Sequence, residues 1–141
     1  METSIACQIR MGLDDISSQL RRKYSESLRE LNLYVGQDNL LHRLWAGDGI
    51  TQMQLSEYLK CEPPTISNTV KSLEQNGFIY RQRDELDGRV MRIFLTEKGK
   101  EVEQAVTMKW QEHQELLLKS VSEEEQLLLN DLIKRMKKNL T

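Results

Sequence analysis

The sequence predicts a mainly helical fold carrying one small β-hairpin. Apolar residues recur at steps of three or four along most of the chain, a stretch after residue 78 switches to a period near two, and helix-start signals stand at several boundaries. At 141 residues the chain matches one domain with a single core. Its 38% hydrophobic and 30% charged residues, with only two prolines, fit an ordinary globular composition rather than a disordered one. No run approaches the roughly 18 apolar residues of a membrane span, and the first dozen residues carry Glu2 and Arg10 without an apolar signal core. A cytoplasmic protein with no membrane partner is therefore expected.

Ile5, Ile9, Leu13, Ile16, Leu20, Tyr24, Leu28 and Leu31 mark one face of a first helix. It would be about 40 Å long, more than a compact domain of this size needs, so part of its stripe must find cover elsewhere. Residues from about Val35 to Ala46, with Leu40, Leu41, Leu44 and Trp45, read as a shorter buried helix ending before Gly47. Thr51 and Gln54 then fit a capping box, with Ile50 placed to staple onto Leu55, and open a helix reaching about Leu59. Pro63 and Pro64 suit the first turn of the next helix, whose amide hydrogens have no partner anyway. That helix ends at Asn76 and Gly77, with Phe78 placed to fold back on Leu73 in a Schellman motif. Residues 79–83 and 90–95 alternate as two strands around the polar stretch from Asp84 to Arg89. Thr96 caps a helix through Val102, Val106, Trp110, His113 and Leu117 to about Ser120. Ser122 with Glu125 opens the last, through Leu128, Leu132, Met136 and Leu140.

Two short helices joined by a tight turn are a common packing unit, so the faces must decide their use. In the helix that Pro63 starts, Ile66, Val70 and Leu73 form the core stripe. Pro64, Asn68, Lys71 and Gln75 lie opposite, flanked by Thr65 and Ser72. That outer strip has no carboxylate, which suits a surface meeting phosphates. Recognition helices read bases mainly with their N-terminal residues, which selects Pro64, Thr65 and Asn68. Asn can pair with adenine through two hydrogen bonds, and Pro or the Thr methyl can touch a thymine methyl. Ser67 and Lys71 are placed for phosphates. Arg83 and Arg89 join this set from the hairpin, which also carries Arg81 and Arg92. A tip arginine can enter a narrow minor groove, and Asp87, two residues before Arg89, can hold its guanidinium in one pose. A solvated helix face and an ordinary charged turn are the plain alternatives. Net charge is −2, which by itself argues against nucleic acid, but from Lys60 to Arg83 four bases face two acids.

The runs TQMQLSEYL and PPTISNTVKSLEQNGFIYRQRDELDGRVMRIFLTEKG resemble the core of the MarR family of bacterial regulators. The strongest parts are LEQNGFI, the D-x-R of Asp87 and Arg89, and LTEKG; the flanking helices match the family layout over nearly the whole chain. The resemblance implies a winged helix-turn-helix at residues 34–97 inside a single domain 1–141, with dimerisation helices at 1–33 and 98–141. It implies a recognition helix at about 63–76 and a wing arginine at Arg89. Its implied function is a homodimeric DNA-binding transcription regulator, mostly repressors among relatives. Two recognition helices related by symmetry would meet half-sites about 10 base pairs apart on a pseudo-palindromic duplex operator. At Asn68 many members carry arginine, so the resemblance carries over the fold but not the preferred base.

Relatives of this kind respond to small aromatic or phenolic acids, or to oxidants, through a cleft between the dimer helices and the winged region. Trp45, Met108, Trp110 and His113 are candidates to line it; plain core packing is the alternative for each. Cys7 and Cys61 lack disulfide or ligand spacing, which fits a reducing compartment. Cys61 before the recognition helix can be an oxidation switch or inert, and Cys7 reads as an inert small side chain. With His42 and His113 the thiols have no zinc spacing, and no cofactor is expected. No Gly-rich phosphate loop, G-x-S-x-G or H-E-x-x-H is present, which argues against an enzyme. The remaining competitor is a winged helix that docks proteins instead of DNA.

Overall fold

The computed structural model describes residues 3–141, so the first two residues of the expected N-terminal dimerisation segment lie outside it. Nine elements follow in order: α1 (Ile5–Glu30), α2 (Gln37–Ala46), β1 (Ile50–Thr51), α3 (Gln52–Leu59), α4 (Pro63–Gln75), β2 (Ile79–Arg83), β3 (Met91–Leu95), α5 (Glu97–Leu117) and α6 (Glu123–Leu140). The fold is mainly helical with a small antiparallel sheet, as the periodicities require.

Each start signal acts as its chemistry dictates. Thr51 and Ser122 accept from the third amide of their helices, while Gln54 and Glu125 reach back to the cap amides, giving two capping boxes. Thr96 caps α5 by accepting from the Gly99 amide. α4 ends in a full Schellman arrangement: Gly77 has φ +80°, its amide donates to Glu74 O at 3.1 Å, and the Phe78 amide donates to Leu73 O at 3.0 Å. α2 starts at Gln37 rather than near Val35, because Gly36 at φ +101° turns the chain first.

The sheet departs from expectation. It has three strands in the order β1-β3-β2, not a bare hairpin. Ile50 and Thr51 pair with Ile93 and Arg92, and β2 pairs with β3 from Ile79 opposite Leu95 to Arg83 opposite Met91. A two-residue strand shows no periodicity, and Thr51 already had a sufficient role as a helix cap.

The core gathers Leu40, Leu41 and Leu44 of α2, Leu55 of α3, Ile66, Val70 and Leu73 of α4, Phe78 and the sheet residues Ile79, Ile93 and Leu95. Only Leu28 of α1 and Val106 of α5 are added as buried apolar residues from the long helices. Tyr24 and Val102 pack partly against the core, and much of the remaining stripes stays open. Ile5, Ile9, Leu13 and Ile16 of α1, and Leu127, Leu128, Leu129 and Leu132 of α6, are exposed, and α6 buries no residue. No helix of the described residues is long and apolar enough to cross a membrane.

Candidate nucleic-acid interface

α4 and the β2–β3 loop carry the predicted DNA-facing residues. Ile66, Val70 and Leu73 are buried, so the helix has one fixed rotation, and Pro64, Thr65, Ser67, Asn68, Lys71 and Gln75 are all exposed. Pro63 and Pro64 occupy its first two positions, so this end offers ring methylenes where other helices offer amide donors. Ser72 does not belong to the outer strip: its Oγ accepts a 2.9 Å hydrogen bond from Gln37 Nε2, tying α4 to α2. Its position at the edge of the face left this open in the sequence.

The one carboxylate inside α4 is not free. Arg81 of β2 grips Glu74 with two hydrogen bonds, at 3.0 and 3.2 Å, and its guanidinium holds the Glu74 carboxyl below the ordinary glutamate range. Thus Arg81 screens an acid. Lys71 makes no ion pair among the described residues, which leaves its charge for solvent or a ligand.

The wing loop is organised by Asp84. One oxygen accepts from Arg92 Nε at 2.8 Å, and the other accepts the amides of Leu86 at 3.3 Å and Asp87 at 3.1 Å. Arg92 and these amides keep the Asp84 carboxyl below its usual range. Arg92 also donates to Gly49 O at 2.8 Å, so it braces the sheet. Arg83 donates to Gly88 O at 2.6 Å and steadies the loop from below, its side chain still exposed. At the tip, Asp87 accepts from the Arg89 amide and Nε at 3.1 Å and from Nη2 at 3.5 Å, as its spacing predicted. The Arg89 side chain is 91% exposed all the same. Of the four hairpin arginines, Arg81 and Arg92 serve the fold, Arg83 partly so, and Arg89 projects.

The expected effector residues separate into different surroundings. Trp45 and Trp110 border one cavity of about 450 Å³ between α1, α2 and α5. Trp110 and His113 border another, of about 360 Å³, on the α1–α5 face. Met108 borders neither and is half exposed on α5, because the step from Met108 to Trp110 turns it to a different side. Trp45 Nε1 donates to Gly99 O at 2.8 Å while its ring packs on the core. Residue patterns missed the centre of this region. Trp110 Nε1 donates to the Tyr24 hydroxyl at 2.7 Å, and that hydroxyl donates to Asp38 Oδ2 at 2.8 Å. Burial, then the Asp38 carboxylate, push the Tyr24 phenol pKa up. His113 shares a 3.3 Å hydrogen bond with Ser27. Cys7 and Cys61 are exposed free thiols, and no group of three metal-ligating side chains occurs among the described residues.

Comparison with known proteins extends this reading. The family model described as MarR family matches residues 33–91. The HTH-type transcriptional regulator YybA of Bacillus subtilis is 32% identical over 112 residues, covering 79% of this chain and 75% of that protein. Among solved structures, the transcriptional regulator SlyA is 34% identical with a TM-score of 0.73, covering 94% of this chain and 93% of its own. The MepR–DNA complex of S. aureus superposes with a TM-score of 0.74 at 29% identity, over 98% of this chain and 99% of the other. These relatives are regulators rather than enzymes. With the winged helix, its tied arginine and these likenesses together, the chain belongs to the MarR family of transcription regulators.

Proposed function

We propose that this protein is a sequence-specific DNA-binding regulator, acting as a repressor, that binds a pseudo-palindromic operator as a homodimer in the cytoplasm. α4 enters the major groove, with Pro64, Thr65 and Asn68 toward base edges and Ser67 and Lys71 toward phosphates. Arg89, oriented by Asp87 and flanked by Arg83, enters the minor groove. Residues 1–33 and 98–141 pair the two copies around the winged regions at 34–97. A small aromatic ligand in the cleft beside Trp45 and Trp110 releases the operator.

The observation that carries this reading is the electrostatics of one surface. The exposed strip of α4 has no carboxylate, Glu74 at its edge is held by Arg81, and Arg89, paired with Asp87, projects into solvent at the wing tip. The open stripes of α1 and α6 support the pairing, since a second copy would remove them from water.

The test is Arg89→Ala in a gel-shift titration, with sedimentation as a control. An affinity loss of about tenfold or more with the dimer intact is expected. Unchanged affinity removes the wing from the mechanism. Binding that is flat in salt would instead favour a protein-docking winged helix, because phosphate neutralisation makes DNA affinity fall steeply as salt rises.

A further inference from the structure

The cavity between α1, α2 and α5 has a chemical character unlike the aromatic acids expected from the resemblance. Its volume, about 450 Å³, is in the range of small-molecule sites. Two edge-to-face pairs border it: Tyr24 with Trp110 at 5.3 Å between centroids, and His42 with Trp45 at 6.1 Å. Each such pair leaves at least one ring face uncovered by its partner. Asp38, only 6% exposed, also borders the cavity. Its oxygens accept from Tyr24 and from the Gly36 amide at 2.9 Å, but among the described residues no lysine or arginine pairs with it or lines the cavity.

A carboxylate taken this far from water without a cation leaves the cleft negatively charged. The first turn of α2 and two hydrogen bonds ease that charge without cancelling it. The raised pKa of the Tyr24 phenol keeps its proton in place, so Tyr24 serves Asp38 as a donor only. An aromatic acid entering here would set a second anion near Asp38 with no lysine or arginine to receive it and His42 as the one imidazole on the lining. An aromatic cation would meet a carboxylate and electron-rich ring faces together.

We propose that this cleft binds a small organic monocation with a flat aromatic body, with Asp38 as its counter-ion and Trp45, Trp110 and Tyr24 as its aromatic walls. The proposal rests on the effector reading above and reverses the charge of the ligand that the resemblance implies. Asp38 is followed along the chain by the buried end of α2, and its neighbour Gln37 holds Ser72 of α4, so the site borders the link to the DNA-facing helix.

The experiment is calorimetric titration of the full chain, near neutral pH, with three ligands of one shape: 2-naphthylmethylammonium, 2-naphthylmethanol and 2-naphthoate. The ammonium should bind at least about tenfold more tightly than the naphthoate, with the alcohol between them. Asp38→Asn, whose carbonyl oxygen can keep the Gly36 hydrogen bond while its amide nitrogen donates to the Tyr24 oxygen in place of accepting from it, should erase that preference. Equal or tighter binding of naphthoate, no heat with any of the three, or a preference that survives Asp38→Asn overturns the proposal. Should Asp38→Asn fail to fold, Trp110→Leu at a half-exposed position tests the same cleft. Several-fold weaker ammonium binding then supports the assignment, and unchanged binding overturns it. Duplex binding measured on the same unliganded preparations reports separately on the regulator reading, whose failure would leave the ligand preference intact.

Discussion

Asp84 and Asn68 show how single side chains divide between holding the interface and using it. Asp84 binds three partners and touches nothing beyond the wing, so its role is to fix where Leu86, Asp87 and Arg89 stand. Its folded pKa lies below the unfolded value, so its stabilisation is present above the ordinary aspartate range and is lost as pH falls through the folded pKa. The amide resonances of Leu86 and Asp87 should therefore titrate together in an NMR pH series, with a midpoint below the ordinary aspartate value of about 4. A midpoint at or above it contradicts the hub. Asn68, exposed on α4 with no side-chain hydrogen bond among the described residues, is by contrast the side chain proposed to read a base. Asn68→Ala should relax preference at one base pair per half-site by about 1–3 kcal/mol, measured by competition among single-base operator variants. An unaltered rank order of variants would exclude it from readout. The Asp87–Arg89 pairing follows from D-x-R spacing, but the Asp84–Arg92 clamp joins positions across the hairpin that only strand register brings together.

At the scale of elements, local chemistry was the readable part. Capping boxes, the Schellman end of α4 and the period change at the sheet each involve residues within a few positions of one another, so they can be inferred from the string. β1 escaped because two residues carry no period, and the Tyr24–Asp38–Trp110 network escaped because its members are distant in sequence. Asp38 looked like any acid in the first turn of a helix. Gly99 lies between these cases. Its place in LTEKG signals a helix start, but the structure gives the reason for glycine: a Cβ there would run into the carbonyl oxygen of Phe78, which also accepts the Thr96 amide. Alanine ordinarily gains about 1 kcal/mol over glycine within a helix. Here the clash is with backbone beside a buried ring, so overpacking of about 1–3 kcal/mol should outweigh the gain. Gly99→Ala should thus lower the urea midpoint at fixed protein concentration, and a higher midpoint would show that the α5–sheet junction can yield.

For the whole molecule, the distribution of apolar surface matters more than the total. The core belongs to the winged region and the adjoining parts of α1 and α5, while the far half of α1 and all of α6 leave leucines and isoleucines in water. A single chain leaves that surface in water, and the proposed pairing of two copies would cover it while repeating the α4 strip and the wing. The amphipathic stripes were readable from sequence, but their lack of a partner within the chain was not, since it depends on which faces the fold consumes. Net charge, at −2, misleads for a related reason: the outer strip of α4 itself carries no acid and Glu74 at its edge is held by Arg81, although Glu62 stands exposed at the N-cap, and the average conceals this local surface. If two α4 helices and two wings meet DNA at once, selection of bound duplexes from a random pool should enrich an inverted repeat whose half-sites are centred about 10 base pairs apart, one turn of the double helix. An enriched asymmetric single site, or no enrichment at modest salt, would contradict it.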